Sequence, residues 1–471
     1  MLYDTESKTY RVETTSFSLA EDTTKQDAMS IYEETVAIGR KLAEGKVIDL
    51  ISLSGAWHSL FLADQKMNPV TPVYAWSNTE ASPLCSRLRE DGDFVDWYYK
   101  RTGCMVSAIY PAFKLMMLKE KGYCLSEHLV MGQGSYNMYR LTGERVTMDS
   151  MASGTGLMNI HNKTYDREIL DMVGVEEHQL ERIVSYQETL PLSEGGAQDL
   201  GLTPGIPVMA CGSDGGLNQV GSGAICDGVM TFSVGTSGAI RLSSDAPVIP
   251  DVPSTWCYLS PKKWLSGGAT SGATNCIDWF KNRMFESGTT YTEIEQGFSK
   301  DTDPPIFLPF LFGERAPGWE DSRTGGFYDI RPCHSRHDMY RAVMEGVLFN
   351  LYQNYQVLTK LNGDPRKVML SGGILNSAFW TRTCVDMFNV PMTVNRLEHN
   401  SLLGGVVLGM EILGLTGEGD RMPFGEETVL YPDREKHMEY QKRYERYLYW
   451  YHKTSMAEGV TASGKRRQSQ G

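Results

Sequence analysis

VMTFSVGTSGAI, residues 229–240, reads as a strand, a glycine-bounded hydroxyl turn and the start of a second strand. The apolar run Val229–Val234 breaks at Gly235, Thr236, Ser237 and Gly238 and resumes at Ala239, a strand–turn–strand pattern. Glycines at both ends of such a turn are expected to open backbone angles closed to other residues. Successive N–H groups can then converge on an anion, with Thr236 and Ser237 adding hydroxyl donors. An ordinary hairpin carries the same signature.

Just upstream lies CGSDGG, residues 211–216. Residues 207–211 read as a short buried strand, and Asp214 then stands where the chain turns into the small-residue stretch 217–224. Strand ends are where α/β proteins place their chemistry. A carboxylate there can accept the proton of a hydroxyl that attacks phosphorus, and it can equally serve as a turn or helix-cap residue.

Further out, strand patterns alternate with helical ones, as in 47–53 after an acidic helix over 26–43, or 368–370 before a helix over 380–388. This is α/β patterning. At 471 residues the chain exceeds one typical core, so two domains are expected. The small residues 221–228 mark the boundary and suggest a hinge that closes the halves around a reaction. A net charge of −13 argues against nucleic acid, which calls for a basic footprint. Nine cysteines, scattered and never spaced Cys-x-x-Cys, suit a reducing cytosol. There is no signal-peptide pattern and no apolar span of about 20 residues, so a cytoplasmic protein without a membrane partner is expected.

Several segments, in order, resemble the FGGY family of carbohydrate kinases, and within it the gluconokinases. FLPFLFGERAPGW (307–319) resembles the family's Gly-Glu-Arg-x-Pro loop, RAVMEGVLF (341–349) its Arg-Ala-x-x-Glu-Gly helix, and KVMLSGGILN (367–376) its adenosine-binding strand and glycine pair. LTGERVTMDSMASGTG (141–156) and SGAWHSLFLAD (54–64) resemble its substrate-domain motifs. The resemblance implies an α/β, two-domain actin-like (ribonuclease H-like) ATPase fold with an interdomain cleft. A sugar-binding domain over 1–225 would precede a nucleotide-binding domain over 226–453 and a disordered tail over 454–471.

It further implies transfer of the ATP γ-phosphoryl group to a hydroxyl of a sugar or sugar acid, gluconate-like, with Mg2+ bridging the phosphates. Asp214 would be the catalytic base. Gly235, Thr236, Ser237 and Gly238 would form a phosphate loop, and Gly372 and Gly373, with Asn376 close by, the adenosine site. His58, Trp76 and Asn78, with Asp214, fall in the segments that would meet the sugar. Xylulokinase-like specificity and a non-catalytic sugar-binding pseudokinase are the alternatives, and a homodimer is compatible with the family.

The chain departs from the family at its start, where such kinases open with a buried strand and an Asp-x-Gly-Thr-Thr phosphate turn. Here residues 1–4 resemble the family's second strand, followed by a charged turn over 4–8 and a third strand over 9–15. A misassigned start, a fragment and a non-catalytic relative each account for this, the first being favoured because the remaining motifs persist. YAWSNTEA (74–81) carries Asn78 and Glu80 where the family commonly has an acid and an arginine, and Glu80 is expected to repel an acidic substrate.

Other residues carry two readings each. Trp76 either stacks on a sugar or fills a core, and His58 either bonds a sugar hydroxyl or is structural. His334 and His337 lack a third ligand for zinc. Glu314 and Arg315 suggest an internal ion pair, and Glu345 a structural role. Lys114 resembles the family's Lys-x-x-Trp helix, with Met117 at the tryptophan position. Asp433 is expected to cap a final helix whose Tyr440, Tyr444, Tyr447 and Tyr451 share a docking face.

Overall fold

The computed structural model describes residues 1–16, 22–299, 302–395, 399–417 and 425–455. The chain divides into two units. The first comprises Met1–Asp227, Ser243–Ser266 and the helix Asn400–Ile412; the second comprises Gly228–Leu242, residues 267–395 and the helix Arg434–Lys453. The polypeptide thus returns to the first unit twice after residue 227.

At the heart of the first unit the strand Pro207–Ser213 pairs in parallel with Ile51–Gly55 and antiparallel with Thr189–Pro191. It ends at Ser213, whose hydroxyl accepts from the Gly216 N–H at 3.3 Å and caps the helix Asp214–Gly221. The segment after Asp214 is therefore the first turn of a helix. Its small residues form a packing seam: a Cβ on Gly221 would overlap the Asn400 carbonyl, and one on Gly404 the Leu217 carbonyl. A Cβ on Gly405 would lie 2.5 Å from Ser52 Oγ on the neighbouring strand. The glycines let the helices Asp214–Gly221 and Asn400–Ile412 meet backbone to backbone.

The N-terminal strand Leu2–Asp4 pairs antiparallel with Thr9–Arg11, and the Asp4 carboxylate accepts the Glu6 and Ser7 N–H groups at 3.0 and 2.8 Å in the turn between them. Both Leu2–Asp4 and Ile51–Gly55 line a groove of about 770 Å³ whose apolar wall includes Ile38, Leu42, Leu200, Leu402 and Val406. The strand expected from residue 47 begins only at Ile51, because Val47 stands 91 % exposed outside it. The helix expected over 26–43 runs Ala28–Ala43, started by Asp27, which accepts from Ser30 N at 2.7 Å.

In the second unit the strands run in the order Gly238–Ser244, Val229–Val234, Lys367–Ser371, Met392–Val394, Thr428–Leu430. Val229–Val234 and Gly238–Ser244 form the hairpin read from the sequence, with Val234 opposite Gly238, while Lys367–Ser371 lies parallel to Val229–Val234. The 27-residue helix Arg336–Asn362 and the helix Arg434–Lys453 bury apolar and aromatic faces in one core. Asp433 caps the latter through the Glu435 and Lys436 N–H groups, and Tyr440, Tyr444, Tyr447 and Tyr451 are buried along it. Of the expected tail, residues 456–471 lie outside the described residues.

Two buried carboxylates brace this unit. Glu314 pairs with Arg323 at 2.6 Å rather than with its sequence neighbour Arg315, and accepts from the Tyr451 hydroxyl at 2.6 Å. Arg323 reaches Glu314 because the loop between them folds back, with Glu314 N–H donating to the Glu320 carbonyl at 2.9 Å. Glu345 is held by Arg341 at 2.9 Å and Arg443 at 2.6 Å, a structural role.

The helix seam yields a direct test. Gly221→Ala should destabilise the protein by roughly 1–3 kcal/mol, the range for overpacking a closed contact, read as a lower denaturant midpoint at unchanged slope.

Candidate functional site

The first unit gathers its candidate residues around the end of Pro207–Ser213. Asp214 is exposed at the helix start, and Oδ1 accepts from the Gly215 N–H at 2.7 Å. A Cβ on Gly215 would collide with the Trp57 ring, so that ring lies against the backbone beside Asp214. Trp57 Nε1 donates to the Ser150 carbonyl at 2.8 Å, and the Ser213 N–H reaches Ser150 Oγ at 3.4 Å. One short helix, Asp149–Ala152, thereby ties the indole to the strand end that presents Asp214.

His58 is next to it, buried and at φ +69°, a left-handed backbone that few non-glycine residues adopt. Its Nδ1 lies 2.5 Å from the Gly154 carbonyl, which sets Nδ1 as donor. Glycine is required at 154, since a Cβ there would come 2.6 Å from the Trp57 ring. Tyr110 and Tyr258 pack edge-on against the imidazole at 5.2 and 5.7 Å, their hydroxyls bonded to each other at 2.6 Å, and Trp256 stacks on Tyr258 at 4.2 Å. These rings are buried, Tyr110, Trp256 and Tyr258 at 3 % exposure or less, so they form a packed aromatic cluster that holds Trp57 and His58 in place rather than a face open to a ligand. The sequence does not single out Trp256 and Tyr258, which come from a distant segment with no motif of its own, whereas Tyr110 opens the 110–119 segment that carries Lys114.

Trp76 is 42 % exposed, so it fills no core. Asn78 differs from expectation: it is buried, its amide donating to Thr24 Oγ1 at 3.0 Å and Glu80 Oε1 at 3.2 Å while its carbonyl accepts the Glu80 N–H, which makes it a loop fastener. Glu80 is not a free negative charge. Burial works against its ionisation, but Lys121 and Lys25 outweigh that and draw its carboxyl down to about 2. The repulsion of an acidic substrate expected at Glu80 is therefore offset by two ammonium groups.

In the second unit the parallel strands Val229–Val234 and Lys367–Ser371 end side by side, Ser233 opposite Ser371. Gly235–Gly238 leaves the first and Gly372–Gly373 the second. Gly372 is at φ +96°, and a Cβ there would come 2.5 Å from the Val234 carbonyl, so two reasons demand glycine. At the hydroxyl turn the reason differs from expectation. Neither Gly235 nor Gly238 has a positive φ; a Cβ on Gly238 would press on Thr270 at 3.0 Å and Leu351 at 3.3 Å, whereas Gly235 has room. Thr236 is exposed.

The Thr274 N–H donates to the Gly235 carbonyl at 2.9 Å, and Thr274 Cγ2 would lie 3.2 Å from a Cβ on Gly373. The start of the helix Thr274–Met284 thus joins the two glycine turns, with Asn275 Oδ1 accepting the Ala273 N–H at 2.7 Å. Asn376 is exposed at the end of the short turn Gly373–Asn376. Thr274 and Asn275 were missed, although the run Ser271–Asn275 of small and polar residues before a helix was a usable signal. His334 and His337 are engaged with backbone, at the Asp303 and Ile294 carbonyls.

Asp149 lies within the 141–156 segment that resembles the family's substrate-domain motif. Burial pushes its carboxyl up to about 6, and Oδ1 has no hydrogen-bond partner. Among the described residues no helix is long and apolar enough to cross a membrane.

The chain matches two family models: "FGGY family of carbohydrate kinases, N-terminal domain" over residues 2–221 and "FGGY family of carbohydrate kinases, C-terminal domain" over 230–411. It is 29 % identical over 426 residues to the gluconokinase of Bacillus subtilis, covering 87 % of this chain and 83 % of that one. Among solved structures it resembles the gluconate kinase of Lactobacillus acidophilus (TM-score 0.86, 28 % identity, 92 % of this chain and 91 % of that one). It also resembles a ligand-bound xylulose kinase from the same organism (0.89, 28 %, 95 % and 94 %). These likenesses share the two-domain kinase fold.

The raised Asp149 carboxyl has a fixed sign. A folded value near 6 against an ordinary 3.8 means the fold takes up a proton between these values, so the contribution of Asp149 to stability is full below about pH 4 and is lost as pH rises through 6. Asp149→Asn should therefore be more stable than the parent at pH 7.5 by up to roughly 3 kcal/mol, with the difference vanishing at pH 4 in paired urea titrations.

Proposed function

We propose that this chain, which belongs to the FGGY family of carbohydrate kinases, transfers the γ-phosphoryl group of ATP to a hydroxyl of a small sugar acid of the gluconate type. The match of both family domains along one chain carries this reading. The first unit, which includes the returning segments Ser243–Ser266 and Asn400–Ile412 as well as the N-terminal residues expected there, serves the sugar, and the second unit the nucleotide. Asp214 is the base: exposed at a strand end, it accepts the proton of the attacking hydroxyl as the new oxygen–phosphorus bond forms and the bond to the ADP oxygen breaks. An ordinary aspartate is already ionised at neutral pH.

Gly235, Thr236, Ser237 and Gly238 receive phosphate oxygens, with the adjoining Thr274 turn as support, and Gly372, Gly373 and Asn376 receive the adenosine. Exposed Trp76 and the edge of His58 receive the sugar, with the buried Trp57 and Tyr258 rings backing His58. Among the described residues no group of three His, Cys, Asp or Glu side chains is placed to hold a metal ion. In this reading magnesium enters with ATP as part of the substrate. The scattered cysteines favour a cytoplasmic site of action.

Gluconate is the first reading because a gluconokinase relative shares 29 % identity over 426 residues against 27 % over 403 for a xylulose kinase, and because Lys25 and Lys121 remove the objection that Glu80 raised. The likeness to a xylulose kinase structure supports the ketose as second reading. Sugar-dependent ADP release should be seen with gluconate and be weaker with xylulose; the reverse order would select the ketose. Sugar binding without ADP release would select a non-catalytic binder. Asp214→Asn should lower turnover by about 10²- to 10⁴-fold while ATP affinity holds, and unchanged turnover would remove Asp214 as base.

A further inference from the structure

Lys114, on the helix Pro111–Glu120, is the most conspicuous buried cation with no task in the mechanism above. Its side chain is fully buried, and Nζ donates to the His58 carbonyl at 2.8 Å and the Ala75 carbonyl at 2.7 Å. Among the described residues no carboxylate pairs with it. Burial alone draws its ammonium down to about 7. A lysine placed for stability would be paired or would reach solvent with its head group.

The two carbonyls explain the placement. Leu60 and Tyr74 exchange backbone hydrogen bonds at 3.1 and 2.7 Å, and beyond that bridge the two chains diverge. His58 lies on one branch and Ala75 on the other. One branch carries Trp57 and His58, the latter in its left-handed backbone; the other carries exposed Trp76 and the buried fastener Asn78. An ammonium has three donors and no acceptor, so one Nζ can hold two carbonyls from separate segments at a set spacing.

We infer that Lys114 is a positioning residue that clamps the Trp57–His58 and Trp76–Asn78 segments at the spacing a sugar requires. It touches neither substrate nor reacting atoms and acts through the two backbone carbonyls. The inference rests on the sugar-kinase reading for its kinetic consequence, and on the carbonyl geometry alone for its structural one.

Lys114→Met retains the length and apolar stem while removing every donor. The substitution relieves a buried charge but leaves the His58 and Ala75 carbonyls without that donor, two effects of opposite sign, so the variant is expected to fold and to melt within a few degrees of the parent. Its KM for the sugar should rise about tenfold or more, as misplaced binding groups do, with KM for ATP within about twofold of the parent. Amide hydrogen exchange at residues 57–59 and 75–78 should accelerate together while the helix Pro111–Glu120 keeps its protection.

An unchanged sugar KM, a parallel rise in both KM values with a lower melting temperature, or unchanged exchange in either segment would each overturn the clamp. If the parent turns over no sugar, the kinase reading fails, and the exchange measurement still decides the role of Lys114. If Lys114→Met does not fold, Lys114→Arg decides: its larger fork cannot seat at the Nζ position, so faster exchange in both segments supports the clamp, and parental exchange overturns it.

Discussion

The first unit depends on a contact that only glycine permits. The helices Asp214–Gly221 and Asn400–Ile412 approach until Gly221 touches the Asn400 carbonyl and Gly404 the Leu217 carbonyl. Any Cβ at these places would drive the helices apart and shift the N-terminus that presents Asp214. That N-terminus is also pinned from the other side by the Ser213 cap and by the Trp57 ring under Gly215. An exposed carboxylate is thus carried on backbone that cannot move without breaking close packing, which is how a flexible side chain acquires a defined origin.

The second unit solves a similar problem at the ends of two parallel strands. Gly235–Gly238, Gly372–Gly373 and the start of the helix Thr274–Met284 are tied together by the Thr274 bond to the Gly235 carbonyl and by the close approach of Gly372 to Val234. Away from these turns, Glu314 and Glu345 sit buried, each satisfied by arginine, with a tyrosine hydroxyl added at Glu314. Removing one partner of such a group leaves an uncompensated charge, so the arginines of the last helix and of the loop after Glu314 hold together segments far apart in sequence.

Much of this was legible from residue order. The hairpin at 229–244, the strand before Asp214, the helix capped by Asp433 and its tyrosine face are local patterns, and local patterns survive folding when burial agrees with them. The strand over 47–53 was read too early because Val47 looks apolar yet faces solvent, a matter of tertiary position. Glu314 was matched with Arg315 because sequence offers adjacency, whereas the loop brings Arg323 to it. The glycines of the hydroxyl turn were read as needing unusual backbone angles; Gly238 is needed instead for space beside Thr270 and Leu351.

By itself the sequence determined which segments are strands and helices, where the glycine turns lie, and which family the ordered motifs belong to, because these rest on spacing and residue type. Only the tertiary structure decided who faces whom. It set Tyr110, Trp256 and Tyr258 around His58, gave Glu80 its two lysines, and turned a glycine-rich stretch into a helix seam. It also placed the Lys114 ammonium between two diverging carbonyls. Such partnerships join residues tens to hundreds of positions apart, and their energies depend on burial and distance, neither of which is written in the order of residues along one chain.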